Sequence, residues 1–359
     1  MAEARAATRG PEEPAPVPAS GTGGTQGRRR AWRGPTYYHR PALKEAPFNN
    51  WVVGGYVFLA GLAGACSILA AVADSTESEE AADTVRRGRY LPLLAPTLGA
   101  GLLVYDLHTP QRFYNMFRIA KRTSPMSIGT WILTAFSLFS GLTAALQFLS
   151  DRLPGWRLPR RAAQIANVPA AIAGAGMTTY TGSLLAATST PLWAAAPRAL
   201  AVRFGAASIA SGAAALSLGE EPGPTRSALD TVTAAALTAE LAADAVQALA
   251  YRRKGVDEAM RGGWGVAEKL GATGLGAGLP FGLYLLGSVS GNRGLSRIAS
   301  MAVLGGSLLL RISIMAAGDT SARTPEISFR FAQPDNLPRR ERGSGITTRA
   351  ARQIGSRAR

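Results

Sequence analysis

The sequence predicts an all-α, polytopic membrane protein with eight spanning helices, on three observations. Charged residues make up only 17% of the chain and gather at its ends and in short interruptions. Between the interruptions lie runs of roughly 20 apolar residues, the length a helix needs to cross a hydrocarbon core of ~30 Å. Gly and Ala crowd these runs, as in Gly54–Gly55, Gly174 with Gly176 and Gly305–Gly306. Small residues let helices approach closely where lipid supplies no hydrophobic drive. A mean hydropathy of only +0.07 over 359 residues conceals the pattern, because polar tails dilute it.

In chain order, residues 1–47 form a basic tail rich in Ala, Pro, Gly and Arg. Without an apolar core it is neither a cleavable signal peptide nor a folded unit, and it reads as disordered. The apolar segments follow at Trp51 to Ala73, Leu91 to Leu107, Ser127 to Leu149, Ala163 to Ala187, Ala199 to Leu218, Ala228 to Ala250, Gly271 to Val289 and Ser296 to Ala317. The second is short and contains Pro92 and Pro96, so it is expected to kink or to begin before Leu91. Residues 319–359 form a basic C-terminal tail.

A net charge of +16 would suggest nucleic acid in a soluble chain. Here the Lys and Arg residues lie between apolar runs, where topology and anionic lipid headgroups account for them and nucleic acid does not. Counting Lys and Arg in the short loops puts the heavier share on the side of the N-terminus: Arg112, Arg118, Lys121 and Arg122, then Arg198, then Arg252 to Lys254. The positive-inside rule then makes both termini of this cell-membrane protein cytoplasmic. The single cysteine, Cys66, allows no iron–sulfur ligation, and two histidines, His39 and His108, allow no paired axial ligands within the helices. The chain therefore carries no evident haem, iron–sulfur cluster or metal site of its own.

Polar residues inside a membrane are costly and mark function or a structural pair. On the N-terminal side gather Asn49 and Asn50, Tyr105 and Asp106, Ser124 and Ser127, and Tyr180. The sixth segment carries Glu240, Asp244 and Gln247, spaced so that all three share one helical face. Glu240 and Asp244 read either as a proton or ion path or, with Arg311 at about the depth of Asp244, as a structural Asp244–Arg311 ion pair locking two helices.

At the junction of the second and third segments stands Asp106–Leu107–His108–Thr109–Pro110–Gln111–Arg112–Phe113, followed by Ser124–Pro125–Met126–Ser127–Ile128–Gly129–Thr130–Trp131. Further on come Tyr180–Thr181–Gly182–Ser183–Leu184–Leu185, then Pro191–Leu192–Trp193, then Val303–Leu304–Gly305–Gly306 with Leu310–Arg311 and Gly318. In this order the motifs resemble the NrfD/polysulfide-reductase membrane-anchor family of respiratory oxidoreductases, over residues 48–318.

The resemblance implies two four-helix units and a quinone-reactive subunit without haem. Its partners would be a ferredoxin-like iron–sulfur subunit and a molybdopterin catalytic subunit, of formate dehydrogenase type for instance. The substrate would be menaquinone or ubiquinone. A quinone needs an apolar slot, polar partners at its carbonyl oxygens and a proton route. The candidates are Asp106 for proton exchange and Asn50 and His108 for the carbonyls, with Tyr105, Arg112 and Ser127 around them. Two bland alternatives stand beside these roles: an Arg112–Asp106 ion pair, and His108 as an interfacial histidine. A proton or ion translocator built on Glu240, Asp244 and Arg311 is the competing function, and a passive membrane anchor is the third.

Overall fold

The computed structural model describes residues 43–44, 46–107, 109–118, 120–290 and 293–332. His108, nearly all of the tail expected over 1–47 and the end of the C-terminal tail lie outside the described residues. Those described belong to one compact unit, Pro35–Arg359, and among them secondary structure is entirely helical.

The first long helix, α1 (Asn50–Ser75), starts where Asn49 turns extended and its side chain accepts the Trp51 and Val52 amides. That cap satisfies donors every helix start leaves open. α1 runs through the middle of the structure, and its small residues set its neighbours. Gly54 faces Ile312, Gly61 faces Ser208 and Arg311, and Gly64 lies against the Gly174 carbonyl.

The expected second segment begins early, at α2 (Ala82–Tyr90). It continues as 3-10 turns over Leu91–Leu94 and as π-helix over Ala95–Gly99 into α3 (Ala100–Tyr105). Pro92 and Pro96 lack the amide hydrogen an α-helix needs, so the chain tightens and then widens its register around them. A 3-10 segment, Pro110–Phe117, follows.

α4 (Pro125–Arg152), capped by Ser124, packs on α5 (Arg157–Ala186). The short α6 (Pro191–Ala195) leads to α7 (Pro197–Leu218), and α8 (Pro224–Lys254) ends at Gly255 in the left-handed conformation. α9 (Gly263–Val266), a π-helical stretch over Ala267–Gly278 and α10 (Leu279–Ser290) form one further rod. α11 (Arg293–Arg323) runs on past Ala317, where the apolar segment ends, and α12 (Pro325–Phe331) follows.

Six helices among the described residues are long and apolar enough to cross a membrane, or seven if Glu79–Tyr105 and Pro110–Phe117 count as one bent span. All eight expected segments are helical. α5, at 30 residues, is long enough at ~1.5 Å per residue but is not among the six. Its first turns carry Arg157, Arg160 and Arg161, and Thr and Ser lower its later half. Side chains such as Ile165, Ile172 and Leu138 project from α4 and α5 with exposures of 71%, 70% and 64%, as lipid-facing residues would.

One close approach depends on glycine on both sides. A Cβ on Gly306 would lie 2.2 Å from the Gly276 Cα, backbone against helix. Gly306→Ala is therefore expected to destabilise the folded protein by roughly 1–3 kcal/mol through overpacking, measurable as a lower unfolding temperature in detergent. An unchanged temperature would mean that α11 and the π-helical rod can part at no cost.

Candidate functional site

The face of the structure bearing the N-terminus of α1 gathers polar groups from distant segments. The Asn49 amide donates to Asp106 Oδ1 at 3.0 Å, so Asp106, at the C-terminus of α3, is tied to the start of α1. Asn50 Nδ2 donates to Asp319 Oδ2 at 2.7 Å, joining α1 to α11, while Asn50 Oδ1 is buried without a hydrogen-bond partner. Phe48 stacks on Trp193 with ring centres 6.2 Å apart, and Trp193 Nε1 donates to the Ile314 carbonyl at 2.8 Å. Asp319, 7% exposed, is a site residue the sequence reading did not single out. Its signal was an acid one position after the last matched motif residue, Gly318.

Between α4 and α5 lies an open cleft of about 700 Å³. Its walls are Trp131, Ile132, Ala135, Phe139, Ile172 and Gly176, with Lys121, Arg122 and Ser127 as the charged and hydroxyl-bearing residues at one end. Ser127 sits in the first turn of α4, where Ser124 caps its amide, and its Oγ accepts the Lys121 amide at 2.9 Å. The turn is held from the α5 side by Tyr180, whose hydroxyl donates to the Pro125 carbonyl at 2.6 Å. Tyr180 lies over Gly129, where a Cβ would stand 2.0 Å from its ring. The Ser-Pro-Met-Ser-Ile-Gly-Thr-Trp run is thus the cleft's polar end and one wall.

Of the expected quinone-site residues, Ser127 lines the cleft, while Asp106 bonds the Asn49 amide at the start of α1 and Asn50 bonds Asp319 of α11. Tyr105 is 79% exposed and lines neither place. Arg112 is exposed on the 3-10 segment and, among the described residues, forms no ion pair with Asp106. The aspartate instead caps toward α1. Trp51 packs edge-on against Trp264 at 5.8 Å, away from the cleft. Among the described residues no three His, Cys, Asp or Glu side chains gather as a metal ion would require.

A second polar group is buried among α7, α8, the π-helical stretch and α11. Arg203 bonds Asp244 at 2.8 Å and also pairs with Glu268. It donates to Thr273 at 2.8 Å and to Gln247 at 3.3 Å, and Gln247 in turn donates to the Tyr251 hydroxyl. The expected Asp244–Arg311 pair does not form. Arg311 donates to the Ser307 carbonyl at 2.7 Å and to Ser208 Oγ at 2.8 Å, and it lies over the Phe204 ring. Arg203 of α7 occupies Asp244 instead. Glu240, 5% exposed, stands in the field of both arginines with no ion pair within 4.0 Å among the described residues.

Compared with known families, residues 43–222 match the family described as polysulphide reductase, NrfD. The matched stretch holds α1 to α7, the Asp106 contact, the cleft and Arg203, and it stops before α8. No curated protein matches the chain.

Proposed function

Because this chain belongs to the polysulphide reductase, NrfD family, we propose that it is the membrane subunit of a multisubunit oxidoreductase and exchanges electrons with a membrane quinone held in the α4–α5 cleft. The observation that carries this reading is the cleft itself. Its apolar walls suit a quinone ring and tail arriving from lipid, and its one polar end suits the carbonyl oxygens. Ser127, Lys121 and Arg122 would supply the hydrogen bonds there. Reduction of a quinone takes up two electrons and two protons. Asp106, half-buried on the same face and fixed by the Asn49 amide, is the group proposed to exchange those protons with water, and Asn50 with Asp319 would hold the neighbouring backbone in place.

Electrons have to come from outside, since one cysteine and two histidines cannot ligate a cluster or a paired-ligand haem. The proposed donor or acceptor is an iron–sulfur subunit, itself served by a molybdopterin subunit. It would dock on the face that displays Arg112, Phe113, Tyr114 and Phe117, all exposed, a mixture of cation and aromatic surface common at interfaces. In the same reading the eight helical segments all span, as two four-helix units, and both termini lie in the cytoplasm with that partner.

In the purified complex, Asp106→Asn is expected to remove quinone-linked turnover while the catalytic partner still reduces or oxidises a soluble artificial dye. Quinone turnover at the wild-type rate in that variant would take Asp106 out of the mechanism. Copurification with no redox subunit at all would overturn the proposal.

A further inference from the structure

We propose that the connection from α4 to α5 and the first turns of α5 bind the headgroup of an anionic phospholipid through Arg152, Arg157, Arg160 and Arg161. These arginines stand at the end of the bundle away from the start of α1. There the last turns of α1 and α4 meet, and Arg89 bonds both Asp74 and Gln147 at 2.6 Å. All four arginines are exposed. Among the described residues none of them has a carboxylate within 4.0 Å.

The surroundings supply no anion for them. α5 packs against α4, α1, α7 and α6, and the only acids on these helices and on α5 itself are Asp74 and Asp151. Both are engaged elsewhere. Asp74 pairs with Arg89. Asp151 accepts from Arg86 at 2.9 Å and Tyr90 at 2.8 Å on one carboxylate oxygen, and from Gln147 at 2.8 Å on the other. The remaining acids of this end belong to other segments. Glu79 and Glu80 sit on a turn that packs against α8 with Glu77 just before it, Asp83 lies beside Arg86, and Glu220 pairs with Arg87 with Glu221 just after it. The end as a whole carries both signs, and they are segregated, with the cations on the α4–α5 side.

The surface next to the arginines has the shape of a lipid's remainder. α5 has 30 residues and runs ~45 Å, well beyond a hydrocarbon core of ~30 Å, so its charged first turns stand at headgroup depth. Arg157 and Arg161 share a stripe of α5 with Ile165, which is exposed. On α4 the Arg152 guanidinium lies 4.8 Å from the ring centre of Phe148, one turn back and also exposed. Trp156, exposed in the connection, is a residue type that settles at the headgroup level. Cationic side chains and an apolar outer surface therefore follow one another in the order of a phosphate and its acyl chains. A free phosphate would use the arginines and leave Phe148 and Ile165 without a role.

The test is a lipid titration of the delipidated full chain in neutral detergent, with bound lipid counted by native mass spectrometry. Phosphatidylglycerol is expected to bind, and phosphatidylcholine not to compete with it. The double variant Arg157→Gln, Arg161→Gln should bind its tightest phosphatidylglycerol about tenfold more weakly or worse, each basic residue at a membrane surface contributing roughly a factor of five. Arg157→Lys, Arg161→Lys should keep that lipid, as should Arg118→Gln on the opposite face. Neither Arg157 nor Arg161 bonds a side chain among the described residues, so the unfolding temperature of the lipid-free double variant should match the wild type. Equal retention of the two lipids, unchanged binding in the double glutamine variant, or full displacement by inorganic phosphate would each overturn the inference. Quinone turnover plays no part in these readouts, so the function proposed above stands or falls separately.

Discussion

Replacing Ala135 with Phe is expected to cut quinone-linked turnover by about tenfold or more, because losing roughly 1.4 kcal/mol of binding is already a factor of ten. Ala135 lines the α4–α5 cleft between Trp131 and Phe139, one turn along from Ile132. A benzyl group there would project into the space of about 700 Å³ that the quinone ring and the first part of its tail are proposed to fill. The residue lies outside the polar end, so Ser127, Lys121 and Arg122 keep their positions, and the effect isolates shape from hydrogen bonding. Dye-linked activity of the catalytic partner and assembly of the complex serve as controls. If quinone turnover survives at the wild-type KM, the substrate binds elsewhere, and the cleft is only a groove for lipid.

The cleft also shows what sequence patterning can and cannot say. The apolar run expected from Ser127 marked α4, and the helix starts two residues earlier, at Pro125, where Ser124 caps it. The motif running to Trp131 was legible as a site. That its serine and tryptophan would line a groove with residues of α5, while Asp106 met the start of α1 and Asn50 met α11, was not, because both outcomes satisfy the same one-dimensional pattern. The second segment's irregularity was readable from Pro92 and Pro96, but the resulting 3-10 and π registers depend on what packs beside them. α5 illustrates the reverse case: apolar patterning found the helix, and its Arg and Thr content leaves its span to the tertiary setting.

The buried ionic group was half visible. Glu240, Asp244 and Gln247 at helical spacing announced one polar face on α8, and Arg311 was the arginine at matching depth. Arg203 was hidden, since one arginine six residues into α7 resembles a basic flank, and Glu268 stood before the apparent start of its apolar segment. At the start of the π-helical stretch Ala267–Gly278, Glu268 is buried at 2% exposure and paired with Arg203. Arg311 then finds its partners among neutral oxygens, and Glu240 is left as the carboxyl without a contact.

Arg203→Leu is accordingly expected to destabilise the protein more than any exposed substitution, by about 3–5 kcal/mol, the usual consequence of removing one partner of a buried ion pair. The loss comes less from the bonds themselves than from what remains. Asp244 and Glu268 would face each other in a low-dielectric interior with no cation in contact, and Gln247 and Thr273 would lose a charged donor. The measurement is thermal unfolding in detergent for the single variant and for the triple variant Arg203→Leu, Asp244→Leu, Glu268→Leu. Replacing a whole buried ionic group with apolar residues of similar size is often neutral or stabilising, so the triple variant should recover most of the lost stability. A single variant as stable as the wild type would show that water already reaches Asp244 and Glu268.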